Sequence, residues 1–220
     1  MERSITVSKE DYLKAILEAE SEGQRVISAT LAHWLSVSAP AVTMALRRLK
    51  RDGYVLMRKD GSIHLSAQGK EAAYRTALRH HLIERMLSEL FGMEWYQVHD
   101  EAERLEHAVS PEFEAKLIER LGDRGFCPHG NSVLPESPRQ RRKRGLLPLS
   151  DGAEQKEYTV ASLYERDPKL LLFLHKLGIG PQVKVRLATK NYDDTLLLET
   201  PNGLCTLGKA AAEKIWVRQG

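Results

Sequence analysis

Apolar residues in the first half of the chain recur at intervals of three and four and are broken by glycines, so a series of amphipathic helices is expected. Ser8, with Asp11 three residues on, reads as a capping-box-like start; Tyr12, Leu13, Ile16 and Leu17 form a buried stripe, and Gly23 ends the helix. A short helix follows Ser28, with Leu31, Ala32 and Leu35 facing inward. Residues 36–39 form a turn from which Ser38 caps a third helix, and Pro40 sits in its first turn, where a missing N–H costs nothing. Val42, Leu46 and Leu49 are the buried stripe of that helix, which leaves Thr43, Met44, Arg47, Arg48 and Arg51 on its other faces before Gly53 stops it. Two short apolar stretches, 54–57 and 63–65, flank the hairpin signal Lys59-Asp60-Gly61. Helix, helix, turn, basic helix, hairpin is the order of a winged helix-turn-helix, whose second paired helix enters the major groove.

A long helix is expected from Ser66 to about Phe91, a second over about 96–109, and a third from Ser110-Pro111-Glu112 to Gly122. Val98, Ala102 and Leu105, then Phe113, Leu117 and Leu121, offer more apolar surface than a small domain hides, so a dimer interface is expected there. Residues 122–155 are rich in Pro, Gly, Ser and Arg and read as a linker; the run Arg139–Arg144 within it is expected to be a solvated tether, with phosphate contact as the alternative. Strands are expected at 158–163, 183–188, 195–199 and 215–218, with one helix over 168–176, which together suggest a small barrel-like β domain.

A length of 220 residues suggests more than one domain. No apolar run approaches the roughly 20 residues of a membrane span, and Met1–Val7 lacks a secretory apolar stretch, so a soluble, cytoplasmic protein without a membrane partner is expected. The only cysteines, Cys127 and Cys205, are too far apart to suggest a disulfide framework. The net charge of +3 says little, but Arg47, Arg48, Lys50, Arg51, Arg58 and Lys59 face a single acid, Asp52, between Ala39 and Lys59. Nucleic acid prefers such a patch, although a solvated helix face carries the same charges.

The densest chemistry lies at His99, Glu103, Glu106 and His107, at offsets of four, seven and eight residues. At about 100° per residue these fall on one side of one helix. His80 and Glu84 form a second pair on the preceding helix, and Asp11 is a further carboxylate beside an apolar stripe. Any one of these suits a surface salt bridge; six or seven stacked on adjacent helices point to divalent first-row metals instead. Cys127-Pro-His129 adds a pair, while zinc fingers and iron–sulfur sites need more cysteines than the chain has. A metallohydrolase would use the same cluster but needs a substrate pocket, which nothing marks, and leaves the basic winged helix unexplained. A metal-independent winged-helix regulator with salt-bridged helices is the other competitor.

Together, the winged helix, the segment Val98–His107, the Cys-Pro-His-Gly loop and Leu170–Pro181 resemble the DtxR/MntR metalloregulators over essentially the whole chain. The resemblance implies a mainly α protein with a small β part. Residues 1–72 are then a winged helix-turn-helix DNA-binding domain, 73–140 a helical metal-binding and dimerisation domain, 141–155 a linker, and 156–220 an SH3-like (FeoA-like) β-barrel domain. It implies a homodimer that binds palindromic operators when loaded with metal, with repression of metal-uptake genes. Asp11, Glu103, Glu106 and His107 match the family's primary site. Where the iron-sensing branch uses methionine and cysteine, this chain has Asp11 and Glu103, which is similar to the manganese-sensing branch; Mn²⁺ is the expected ion and Fe²⁺ the nearest rival. Two-domain manganese sensors carry a second acid one turn after the first-helix aspartate; here it is Lys14, which puts a two-manganese cluster in doubt. His80, Glu84 and His99 match the ancillary site, to which Cys127 and His129 are candidates, with Glu165 or Asp167 from the third domain; Zn²⁺ or iron suits Cys127 better than manganese does. Ser38, Pro40, Thr43, Met44 and Arg48 fall where the family's recognition helix meets DNA, with part of the specificity coming from DNA shape. A metal joining Asp11 to the dimerisation helices would fix the spacing of two recognition helices, and without it the carboxylates should repel.

Overall fold

The computed structural model describes residues 6–220. Helices α1 (Val7–Ser21), α2 (Ser28–Trp34) and α3 (Ala39–Arg51), the hairpin β1 (Val55–Met57)–β2 (Ile63–Leu65) and the first half of α4 (Ala67–Arg85) close over one core. Leu13, Ile16, Leu31, Leu46, Leu49 and Ile63 are its fully buried members. Burying each stabilises by roughly 1.5–3 kcal/mol, which holds α3 against α1 and the hairpin. The hydroxyl of Ser38 accepts the Ala41 N–H at 3.4 Å, so α3 is capped as its sequence suggests. The first helix starts differently: Thr6 precedes it without a side-chain cap, and the Ser8–Asp11 box does not form, because Ser8 already lies inside the helix. Asp11 is thereby left to face α5 and the turn after it.

The second half of α4 belongs to another core, with Leu82, Ile83 and, just beyond the helix, Leu87 packed on Val98, Ala102 and Leu117 of α5 (Val98–Leu105) and α6 (Pro111–Leu121). One continuous helix therefore carries both cores. The expected helix to Phe91 is α-helical only to Arg85; Met86–Leu90 forms a π-helical turn, which begins two residues after Glu84. Helix α5 is shorter than expected, and Glu106 and His107 lie in the turn that follows it.

The linker reading fails. Residues Pro138–Lys143 form α7, capped by Ser137, so the basic run is a helix anchored through Arg141, with its other basic side chains exposed, rather than a loose tether. Arg141 is buried, donating to Glu22 at 2.9 Å and lying 5.2 Å above the Trp216 ring, while Arg142 donates to Asp151 at 2.8 Å. Strand β3 (Leu147–Pro148) pairs with β8 (Ile215–Gln219), and Leu149 enters the C-terminal core, so this fold begins well before residue 156. Its antiparallel sheet has the order β3-β8-β4-β5-β6-β7, with β4 at Lys156–Leu163, β5 at Lys184–Lys190, β6 at Leu196–Thr200 and β7 at Gly203–Leu207. Bulges in β4 and β5 curl it around Tyr158, Val160, Leu187 and Leu198, with α8 (Pro168–Lys176) and the short α9 (Lys209–Ala212) against it. Among the described residues no single helix is long and apolar enough to cross a membrane.

Candidate metal centre

Two clusters of ligand-type side chains meet along α4 and α5. In the first, His107 Nε2 lies 2.8 Å from Asp11 Oδ1 and 3.3 Å from Glu106 Oε1, so a residue of α1 meets two from the turn after α5. Glu10, the neighbour of Asp11, holds the other ring nitrogen of His107 at 2.9 Å and fixes the ring. Burial raises the Asp11 pKa, an effect that the His107 charge partly offsets. Glu103 lies on the rim. An open cleft of about 330 Å³ between Asp11, Lys14, Glu103 and His107, with Trp34 and Arg166 also lining it, leaves this cluster reachable from solvent.

Lys14 occupies the centre of the cluster. Its ammonium is buried and donates to Glu103 at 2.9 Å and to the two oxygens of Glu106 at 2.8 and 2.7 Å. Burial alone would lower its pKa, but Glu18, Glu106 and Glu103 hold it above the ordinary value. The same charges act in reverse on the acids. Burial would raise the pKa of Glu103, but Lys14 and His80 hold it down at about 2. Glu106 is likewise held low against its burial by His80 and Lys14. The expectation that metal-free carboxylates simply repel is therefore wrong here, because a lysine already ties α1 to α5.

The second cluster centres on His80. Its Nδ1–H donates to Glu106 at 2.6 Å and its Nε2–H to Glu84 at 3.0 Å, so one imidazole ring links the two clusters. Burial and Lys14 oppose its protonation, yet Glu84 and the bonds to both carboxylates push its pKa up to about 10. His99 Nδ1 lies 3.0 Å from His80 Nε2 and 3.1 Å from Glu84 Oε1.

The Cys127–Gly130 loop closes this cluster from the far side. Gly130 has φ +82°, and a Cβ there would stand 2.0 Å from the Ala161 carbonyl oxygen, so only glycine lets the loop lie flat on β4. The close approach lets Leu163 N–H donate to His129 O at 3.0 Å, and it sets His129 Nδ1 3.5 Å from both Glu84 and Glu165. Cys127 Sγ is 3.4 Å from Glu165 Oε2. Burial, with Glu165 and Glu84 nearby, keeps the Cys127 thiol pKa well above its usual value. Burial and Glu84 would also raise Glu165, but His81 and His129 hold it well below the carboxylate range.

Between the two third-domain acids, the structure brings in Glu165. Asp167 instead caps α8, accepting the Leu170 N–H at 3.0 Å. His81 was not anticipated: its Nε2 lies 3.6 Å from Glu165, and it joins Glu84, Cys127 and Glu165 in a set whose donor atoms lie within 4.8 Å of one another. Arg166, next to Glu165, reaches the other way, pairing with Glu18 of α1 and Glu103 (3.7 Å) and lying 4.8 Å above the Trp34 ring of α2. The residue types fit a divalent ion in both clusters. In the second, Glu84 Oε2 and His129 Nε2 are buried polar atoms without a hydrogen-bond partner, a costly arrangement that a bound cation relieves.

On α3 and the wing, Ser38, Pro40, Thr43, Met44, Arg47, Arg48, Arg51, Arg58 and Lys59 are all exposed. Arg51 is not free: its Nε donates to Asp52 at 2.8 Å, and Asp52 also holds Lys9 at 2.7 Å.

Comparisons with known proteins agree with this geometry. Residues 4–63 match the N-terminal DNA binding domain of iron dependent repressors, residues 66–135 their metal binding and dimerisation domain, and residues 147–219 a FeoA domain. The diphtheria toxin repressor of Corynebacterium jeikeium is 30% identical over 91% of this chain and 92% of its own. Matches to three other corynebacterial toxin repressors, at 35–36% identity, are confined to 131 residues, 57–58% of their lengths. The iron-dependent repressor IdeR of Mycobacterium leprae is 27% identical over 96% of both chains. Among solved structures, a manganese-dependent transcriptional repressor in complex with manganese superposes with a TM-score of 0.82 at 30% identity, covering 96% of this chain and all of that one. The chain belongs to the DtxR family of metal-dependent transcriptional repressors.

Proposed function

We propose that this protein is a manganese-activated repressor of metal-uptake genes that binds palindromic operator DNA as a metal-loaded homodimer. The observation that carries the reading is the donor set around His107: Asp11 and Glu106 beside it and Glu103 on the rim, all oxygen or imidazole and without sulfur. Such hard donors favour Mn²⁺ over softer ions. Asp11, Glu103, Glu106 and His107 would hold this ion, which supplies a positive charge where α1 faces the turn after α5. The chain's own residues do the rest: Glu10 orients His107, and Arg166 braces α1 and α2 from the C-terminal domain. Fixing α1 fixes α3, because both share one core.

In the dimer, two α3 helices must meet half-sites one helical turn, about 34–36 Å, apart. Leu90, Phe91 and Phe113 are exposed apolar residues on the helical domain and suit the dimer contact. Arg47, Arg48, Arg58, Lys59 and Thr43 are exposed and would meet phosphates, and Pro40 would press on a thymine methyl. The second cluster, His80, Glu84, His99, Cys127, His129 and Glu165 with His81, is an ancillary site whose thiol suits Zn²⁺ or iron.

An iron-activated repressor is the second reading, favoured by the iron-dependent relative. Operator binding titrated with Mn²⁺ and with Fe²⁺ under anaerobic conditions decides between them. Manganese activation at the lower free concentration is expected; stronger activation by iron overturns the manganese reading.

A further inference from the structure

The ligand-type residues near Asp11 form two overlapping sets. One is Asp11, Glu106 and His107; the other is His80, Glu103 and Glu106. Each set brings its donor atoms within 4.8 Å of one another, the spread of a divalent-ion site, and Glu106 belongs to both. The two sets differ in what fills them. Lys14 Nζ reaches every member of the second, lying 3.4 Å from His80 Nδ1, 2.9 Å from Glu103 and 2.7 Å from Glu106. Lys14 is only 2% exposed, and Glu106 is fully buried. A buried ammonium with two carboxylates and an imidazole around it stands where a metal ion with those ligands would stand.

We propose that the Lys14 ammonium is a built-in cation that fills a second ion pocket beside the Asp11 site, so that one divalent ion binds there where the surrounding donors could hold two. The geometry supports this, because the ammonium already takes an oxygen of Glu103 and both oxygens of Glu106, and a second ion would have to share them. Lys14 therefore sets the number of ions. It also leaves part of the link between α1 and α5 in place without metal, so that metal loading adds the Asp11 arm to an interface already half joined.

The proposal rests on the metal-site reading above, and its test keeps the two apart. Full-length parent, Lys14→Met and Lys14→Glu are stripped with chelator, loaded with Mn²⁺ and measured by isothermal titration, metal analysis and electron paramagnetic resonance. The parent should hold one ion that is lost in Asp11→Ala and show no exchange-coupled manganese pair. The Lys14 variants should each gain one ion per chain and the spectrum of a coupled pair bridged by Glu106. Folded variants that hold the same number of ions as the parent overturn the proposal, as does a coupled pair in the parent itself, which needs no variant to be observed. If the parent holds no Asp11-dependent ion at all, it is the metal-site reading that fails.

Discussion

Replacing Glu106 by glutamine should be among the most damaging single changes of charge in the metal-free protein. The side chain is fully buried and takes the Lys14 ammonium on both oxygens, at 2.8 and 2.7 Å, and the His80 imidazole at 2.6 Å. Glutamine keeps the shape, so no cavity opens; what is lost is the negative charge between two buried positive ones. Removing one member of a buried pair costs about 3–5 kcal/mol. Lys14 retains Glu103 at 2.9 Å, which places the expected loss near the lower end, at about 3 kcal/mol. Against a typical stability of about 5–15 kcal/mol this is a large fraction. With a urea slope of about 2 kcal/mol/M, the midpoint should fall by about 1.5 M. The assay is urea unfolding of parent and variant in chelator at pH 7, followed by circular dichroism. The Glu106 pKa is held below 4.5, so its contribution is present above that value and is lost as pH falls through the folded pKa. The gap between parent and variant should therefore narrow in acid. A midpoint shift below about 0.3 M at pH 7, or a gap that widens in acid, refutes the charge argument.

Gly130→Ala should push the Cys127–His129 loop off β4, weakening the ancillary site by about 10–100-fold while the Asp11 site keeps its ion; site-resolved metal titration checks this. His80, whose pKa is pushed up to about 10 by Glu84 and the bonds to both carboxylates, is protonated in the metal-free protein at pH 7, so a metal bound through its ring must displace a proton. Proton and metal compete for the ring, so ancillary-site affinity should rise with pH until the folded pKa near 10 is passed. Calorimetry in buffers of different ionisation enthalpy should show proton release, and a buffer-independent enthalpy contradicts it. On the DNA face, Arg48→Ala should lower the salt slope of operator binding by about one unit. Arg51→Ala, whose guanidinium is already bonded to Asp52, should change it less, as anisotropy at several salt concentrations will show.

The winged helix was readable because its signals are local: an apolar stripe, the Ser38 cap with Pro40 behind it, and a glycine turn between two short strands. The region after Gly122 was misread because arginine-rich sequence looks like a tether; what pins it, Glu22, Asp151 and Trp216, lies far away along the chain. Asp11 and His107 are 96 residues apart, and no spacing rule joins them; the family resemblance did. The choice between Glu165 and Asp167 was decidable from sequence, because Asp167 precedes Pro168 and has the mark of a helix cap. Lys14 was seen only as a missing acid. That it reaches two carboxylates and the His80 ring depends on how α1 lies against α4 and α5, which periodicity does not report.

The central claim is that metal acts by joining Asp11 of the DNA-binding domain to His107 and Glu106 of the helical domain. The most direct test is fluorescence anisotropy of a duplex selected by the loaded protein, titrated with Mn²⁺ for the parent and for Asp11→Ala. The parent should bind tightly only as manganese is added, and Asp11→Ala, folded and still dimeric, should lose most of that gain. An unchanged manganese dependence in Asp11→Ala contradicts the account.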